Sequence, residues 1–136
     1  MHRELIFLTL MVLLPVHAVD FAKDIQPLLK HKCSRCHSED KHKGGFSIDS
    51  RESFLKGGKT GPVAVVGKGA KSLLIKRLTS SDPEKRMPAK GKPLTPEQIN
   101  LLRTWIDQGL TWSEGIRAPM APRQVELPPG DPTENP

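Results

Sequence analysis

The stretch KCSRCHSEDKH, residues 32–42, contains both cysteines of the 136-residue chain, Cys33 and Cys36. His37 follows the second cysteine directly, and His31 and His42 lie beside and within the same stretch. Three chemistries use thiols and imidazoles at such short spacing: a zinc site, a redox-active disulfide and a covalently attached haem. The rest of the sequence has to discriminate among them.

Zinc and a disulfide each leave part of the pattern unexplained. A structural zinc site usually takes two ligand pairs from separate elements, whereas every candidate ligand here lies within a dozen residues. A disulfide between Cys33 and Cys36 would close a very short loop, which stabilises little and is more typical of a redox pair. A thioredoxin-like pair would also need a strand before the first cysteine, and the preceding residues look helical.

Covalent haem attachment uses every feature of the motif. Two thiols three positions apart can form thioethers with the two vinyl groups of a porphyrin, and the adjoining histidine then becomes the proximal iron ligand. The sequence therefore predicts one haem c, attached through Cys33 and Cys36 and ligated by His37.

Met87 is the predicted distal iron ligand. It lies in RMPAKGKPLTPEQI, directly before the last helical pattern, and Pro88 restricts the backbone beside it. Met120, the other methionine beyond residue 18, belongs to a proline-rich segment. His31 and His42 are competing ligands, but both lie too close to the attachment site to reach the opposite haem face easily.

The two ends of the chain differ from the middle. Residues 1–18 predict a secretory signal peptide, because their apolar run is too short to span a bilayer and Val16 and Ala18 suit a signal peptidase. An uncleaved membrane anchor is the alternative; after cleavage no stable membrane span is expected, and the protein would lie in a bacterial periplasm or otherwise outside the cytoplasm. Residues 113–136 contain six prolines and predict a disordered tail or linker.

Residues 19–112 predict a small all-α domain of three to five helices with long irregular loops. Apolar residues recur at helical spacing between Asp20 and Cys33, where Pro27 is expected to kink or restart the helix. Further helices are predicted near residues 49–56 and over 70–81.

The strongest helix pattern covers residues 95–109. Thr95 and Gln98 can form a capping box, and Gly109 can end the helix. Trp105 extends its apolar face and is expected to pack against the first helix.

Charge and composition add two expectations. Residues 19–112 carry eighteen basic and ten acidic side chains, which favours an acidic redox partner and association rates that fall with salt. A merely solvated lysine surface is the alternative, and export and scarce exposed aromatics disfavour nucleic acid. Only 36% of the chain is hydrophobic, so a buried porphyrin is expected to supply apolar mass that the side chains lack.

The order of these parts resembles a class I cytochrome c and, more closely, the planctomycete-type cytochrome c domain. The resemblance covers about residues 20–112, through DFAKDIQPLLKHKCSRCH, GGFSIDSRESFLKGG, GPVAVV, SLLIKRL and RMPAKGKPLTPEQINLLRTWIDQG. It implies a single-haem c fold with His37 and Met87 as axial ligands. A carbonyl of Gly61-Pro62 is then a candidate acceptor for the second nitrogen of His37, although this pair can equally be a simple turn.

Filled axial positions leave no place for a substrate, so electron transfer, not enzyme catalysis, is the expected function. The alternatives are a haem module that serves a larger enzyme assembly as electron inlet or ligand sensor, and a zinc-binding interaction module.

Overall fold

The computed structural model describes residues 17–113. Over this range the chain is mostly helical and contains no sheet, as the all-α prediction requires. The α-helices are α1 (Gln26–Lys32), α2 (Ser34–His37), α3 (Arg51–Lys56), α4 (Leu73–Leu78) and α5 (Pro96–Asp107). A π-helical turn, Phe21–Ile25, precedes α1, and two 3₁₀ turns lie at Lys43–Gly45 and Gly69–Lys71.

The first helical segment follows the sequence pattern closely. Asp20 is the N-cap and accepts a hydrogen bond from the amide of Lys23 at 2.9 Å. Pro27 lies in the first turn of α1, where its missing N–H costs nothing, so the helix restarts there after the π-helical turn. Ile25 and Leu29 point into the core and are almost fully buried.

Helix α5 is the longest element and starts where predicted. Thr95 accepts from the amide of Gln98 at 3.2 Å, and the Gln98 side chain accepts from the amide of Thr95 at 2.9 Å, which completes the capping box. Its apolar face packs against the Phe21–Ile25 turn, α4 and the Gly69–Lys71 turn. Trp105 is fully buried on this face and contacts Phe21, with ring centroids 5.9 Å apart, as predicted.

Fifteen buried apolar side chains form one core. Every Phe and Trp of the described residues belongs to a connected aromatic cluster around it, made up of Phe21, Phe46, Phe54, Trp105 and Trp112. The expectation that a buried porphyrin adds apolar mass stays a prediction. Aromatic residues are few, but because they lie together they fill the interior efficiently.

The two ends of the described segment meet. The ring of Phe21 stacks on that of Trp112, with centroids 4.4 Å apart. The Gln108 side chain accepts a hydrogen bond from the amide of Val19 at 2.8 Å and donates one to the carbonyl of His17 at 3.2 Å. The start and the end of the predicted domain are thus joined to each other directly.

Two of the predicted segments fall largely outside this range. The signal peptide over residues 1–18 and the proline-rich tail over 113–136 lie outside the described residues, apart from the few positions nearest the domain. Within residues 17–113, no helix has the length and apolarity needed to cross a bilayer.

Candidate metal centre

Cys33, Cys36 and His37 lie together where α1 passes into α2. Cys33 ends α1, and its carbonyl accepts the amides of Cys36 at 3.1 Å and His37 at 3.0 Å, which forms a single helical turn. Both thiols are free and half-buried. This turn places Cys33, Cys36 and His37 on one turn of backbone, directly after helix α1.

The Cys33 thiol packs against the edge of the core. Its burial, with a smaller contribution from the neighbouring Cys36, raises the pKa of Cys33 to about 12. The sulfur is therefore a neutral thiol at physiological pH in the metal-free chain.

His37 is half-buried and its imidazole lies against Phe46, with ring centroids 5.0 Å apart. Burial lowers the pKa of His37. The backbone groups of Phe46 and Lys43 act in the opposite direction, because they favour the protonated ring, but their effect is smaller. A neutral imidazole is the form that binds iron. Nδ1 is buried and has no hydrogen-bond partner among the described residues, so this side chain retains unused binding capacity.

The expected hydrogen bond from His37 to a Gly61-Pro62 carbonyl is not made. The Gly61 carbonyl accepts instead from the amide of Gly58 at 3.2 Å, and the Gly61 amide donates to the carbonyl of Gly58 at 3.0 Å. This segment is a tight turn, which is the second of the two readings that its sequence allowed.

Sequence reasoning missed Asp49 altogether. Its carboxylate accepts hydrogen bonds from the Ser38 hydroxyl at 2.6 Å, the Glu39 amide at 3.1 Å and the Ser47 hydroxyl at 2.9 Å, and lies 3.3 Å from His42 Nε2. We call Ser38, Glu39, His42, Ser47 and Asp49 the Asp49 cluster. The only hint in the sequence is the polar run Ser47 to Ser50, which has two serines and a carboxylate within four residues.

Two opposing effects act on the Asp49 carboxylate. Partial burial raises its pKa, but the hydrogen bonds from Ser38, Ser47, Glu39 and His42 together lower it further, and the pKa ends below its ordinary value. The cluster therefore favours a charged carboxylate.

Met87, the predicted distal ligand, is half-buried and packs against the core, as Cys33 does. Its amide donates to the carbonyl of Arg77 in α4 at 3.0 Å, and the Arg77 guanidinium donates to the carbonyl of Lys85 at 3.3 Å. The peptide bond between Met87 and Pro88 is cis. Two hydrogen bonds to one α4 residue thus hold the loop that carries the thioether.

The competing histidines are engaged elsewhere. His42 is 45% exposed and is held by Asp49. His31 is exposed and lines an open groove with Asp24, Gln98 and Leu101, between α1 and α5.

The donor set fits a haem c better than zinc. Two free thiols three positions apart, a neutral imidazole directly after them and a separately anchored thioether are the groups that such a haem requires. Within residues 17–113, no group of three or more His, Cys, Asp and Glu side chains is arranged to hold a metal ion. A zinc site made from His31, His37, His42 and the two cysteines is therefore not assembled there.

Comparison with protein families agrees with this chemistry. Residues 33–91 match the family described as Planctomycete cytochrome C, which confirms the resemblance seen in the sequence over that segment. The match includes Cys33, Cys36, His37 and Met87 and covers less than half of the chain. Cytochrome c domains are typically extracytoplasmic electron carriers, so the match indicates a haem-binding electron carrier. Searches of curated proteins and of solved structures return no match.

Proposed function

We propose that the protein is an exported c-type cytochrome with a class I-like fold, which carries one covalently attached haem and transfers single electrons. The observation that carries this proposal is the backbone turn from Cys33 to His37, which carries two free thiols and an imidazole whose buried Nδ1 has no hydrogen-bond partner among the described residues. The family match over residues 33–91 supports the same chemistry.

Cys33 and Cys36 are the attachment residues. Each S–H would add across one vinyl group of the porphyrin, which would form a C–S bond and place the thiol hydrogen on the neighbouring vinyl carbon. No oxidant is needed, because the thiol and the vinyl group together become the thioether without loss of atoms. The preceding helix α1 holds the two sulfurs on one turn during both additions.

His37 and Met87 are the axial ligands in this proposal. A bound haem supplies an iron that gains and loses one electron. His37 donates a ring nitrogen from one side, and Met87 donates its thioether sulfur from a loop that α4 anchors. With both positions filled by side chains, no coordination site remains for a substrate, so the protein acts as a carrier and not as an enzyme. Methionine ligation also favours the ferrous state and raises the potential.

The charge of the domain supports an acidic protein as the redox partner. Within residues 17–113, the ion pairs are His42 with Asp49 and Lys85 with Asp82, so most of the lysines there are free to act on a partner. A net positive domain attracts an acidic surface and accelerates encounter at low salt. Export through a signal peptide over residues 1–18 would deliver the chain to a bacterial periplasm.

An absorption spectrum tests the proposal. The full chain is expressed in a host with cytochrome c maturation machinery, and spectra are recorded after oxidation and after reduction with dithionite. We expect sharp reduced bands, haem that stays with the protein through acid–acetone extraction, and a weak oxidised band at long wavelength that disappears in Met87→Ala. Stoichiometry from the pyridine haemochrome assay should give one haem per chain.

Other outcomes would overturn the proposal in different ways. A colourless protein would exclude haem and return zinc or a disulfide to consideration. Haem that acid–acetone extracts would contradict covalent attachment. Covalent haem that binds carbon monoxide readily in the reduced state would indicate an open iron site, as in a ligand sensor.

A further inference from the structure

The backbone that leaves His37 is held on both sides. His37 is the last residue of α2, and its carbonyl accepts a hydrogen bond from the amide of Ile48 at 2.8 Å. Ile48 is fully buried, so this strand-like contact rests on the core. The residue that follows Ile48 is Asp49, and the residue that follows His37 is Ser38.

Asp49 holds the two residues that follow His37. Its carboxylate accepts the Ser38 hydroxyl at 2.6 Å, the shortest hydrogen bond of the Asp49 cluster, and the amide of Glu39 through both oxygens, at 3.1 and 3.2 Å. The Asp49 amide also donates to the Ser47 hydroxyl at 3.2 Å, which fixes the carboxylate relative to its own backbone. The chain on either side of the His37–Ile48 hydrogen bond is therefore clamped.

The turn that Asp49 holds is strained. His37 pairs with His42 and Ser38 pairs with Lys41, so residues 38–41 reverse direction within two positions. Glu39 adopts φ 55° to do so, in the left-handed region where the Cβ of a non-glycine residue causes backbone strain. The Glu39 amide donates to both carboxylate oxygens of Asp49, and these hydrogen bonds offset the strain. The conformation of the turn therefore depends on the Asp49 carboxylate.

We infer that Asp49 is a positioning residue for His37, and that it sets the orientation of this axial ligand and thereby the reduction potential of the haem. This inference rests on the proposed function, because it requires His37 to bind iron. It assigns to Asp49 a role through the backbone of residues 37–39 and not through contact with the haem itself. Outer residues that orient a metal ligand commonly change the affinity of the site on the order of tenfold.

Two variants separate positioning from charge. Asp49→Asn removes one negative charge and weakens the cluster, whereas Asp40→Asn removes one negative charge from the same turn, where Asp40 is exposed. Ser38→Ala removes the 2.6 Å hydrogen bond without any change in charge. Thr95→Ala is its control, because it removes one hydrogen bond of an uncharged hydroxyl, accepted from the amide of Gln98 at 3.2 Å, at the start of α5 and outside the haem-attachment turn.

The measurement is the midpoint potential of the holoprotein for each variant, together with its unfolding midpoint in guanidinium chloride. A less firmly held His37 donates less electron density to ferric iron. We therefore expect Asp49→Asn to shift the equilibrium toward ferrous iron on the order of tenfold relative to Asp40→Asn, which raises the midpoint potential by about 59 mV for one electron. Ser38→Ala should shift it in the same direction by a smaller factor, with Thr95→Ala unchanged.

The inference would be overturned if Asp49→Asn and Asp40→Asn had equal midpoint potentials and Ser38→Ala had that of the wild type. This would hold even if the unfolding midpoints fell, because the cluster would then only stabilise the fold. If Asp49→Asn does not accumulate as holoprotein, the comparison of Ser38→Ala with Thr95→Ala decides. A wild-type protein that carries no haem would overturn the proposed function instead, so the two failures are distinct.

Discussion

The amide of Met87 donates a hydrogen bond to the carbonyl of Arg77 at 3.0 Å, while the Arg77 guanidinium reaches past it to the carbonyl of Lys85 at 3.3 Å. One residue of α4 therefore holds the Met87 loop at two points. The loop is also braced internally, because Asp82 accepts the amides of Lys85 and Arg86 through its carbonyl. The proposed distal ligand thus depends on a side chain ten residues before it.

Arg77→Ala should loosen the Met87 thioether without removing it. Loss of one hydrogen bond of about 1 kcal/mol would raise the affinity of ferric holoprotein for exogenous imidazole about fivefold, because imidazole competes with the sulfur. Spectral titration with imidazole measures this. Lys76→Ala is the control, since Lys76 is an exposed neighbour on the same helix. Equal affinities for the two variants would show that Arg77 does not support the ligand.

Asp49 should make stability depend on pH in the acid range. Its folded-state pKa lies below the ordinary value, so the ionised carboxylate stabilises the fold above the unfolded pKa, about 3.9, and this contribution disappears as pH falls through the folded value. Asp49→Asn should lower the free energy of unfolding by about 1 kcal/mol at neutral pH, near the low end for a charged acceptor because the group is partly exposed.

The same difference should shrink toward zero as the pH is lowered below 3.9. Denaturant unfolding of both proteins at several pH values measures it. A gap that stays constant down to the lowest pH would contradict the role of the charged form.

Gly57 and Gly91 should respond differently to alanine. Both have positive φ, 75° and 89°, but an alanine Cβ at Gly57 would overlap the Gly61 carbonyl oxygen and lie 2.7 Å from Pro62 Cα, whereas nothing lies within 4 Å at Gly91. Gly91→Ala should cost about 1 kcal/mol for the backbone alone, and Gly57→Ala about 3 kcal/mol because overlap adds to it. Unfolding in guanidinium chloride compares them, and equal losses would show that the turn relaxes freely.

The positive domain should discriminate between small redox reagents by charge. Reduction of the ferric protein by ferrocyanide should slow as ionic strength rises from 0.01 M, since the Debye length of ~30 Å falls to ~10 Å at 0.1 M. Reduction by the hexaammineruthenium(II) cation should accelerate over the same range. Stopped-flow absorbance at a haem band records both. Identical salt dependences would indicate that the lysines do not create a positive field at the site of electron entry.

Local patterns predicted much of this fold. The Thr95–Gln98 capping box, the cap at Asp20 and the burial of Trp105 all depend on residues within a few positions or on a helical period, and each is present. The helices at residues 49–56 and 70–81 exist but are shorter than their patterns, as Arg51–Lys56 and Leu73–Leu78, because caps and loop contacts decide the ends.

The candidate site also contains a part that the sequence predicted and a part that it did not. Cys33, Cys36 and His37 follow from a motif whose members are adjacent, and their roles stay predictions. The contacts of Asp49 with Ser38 and of Arg77 with Met87 span ten or eleven positions of irregular chain, and no periodicity specifies which groups will meet there. For the same reason the sequence could not decide between a turn and a histidine contact at Gly61-Pro62.

The contact between Phe21 and Trp112 has a consequence for how this domain can be combined with others. Because Phe21 stacks on Trp112 and Val19 is bonded to Gln108, the two ends of the described segment lie side by side. Domains whose termini are close can be inserted into a surface loop of another protein without separating the host's own elements. Joining this domain to another protein in that way would leave the contact between Phe21 and Trp112 intact, so the two ends of the described segment would stay together.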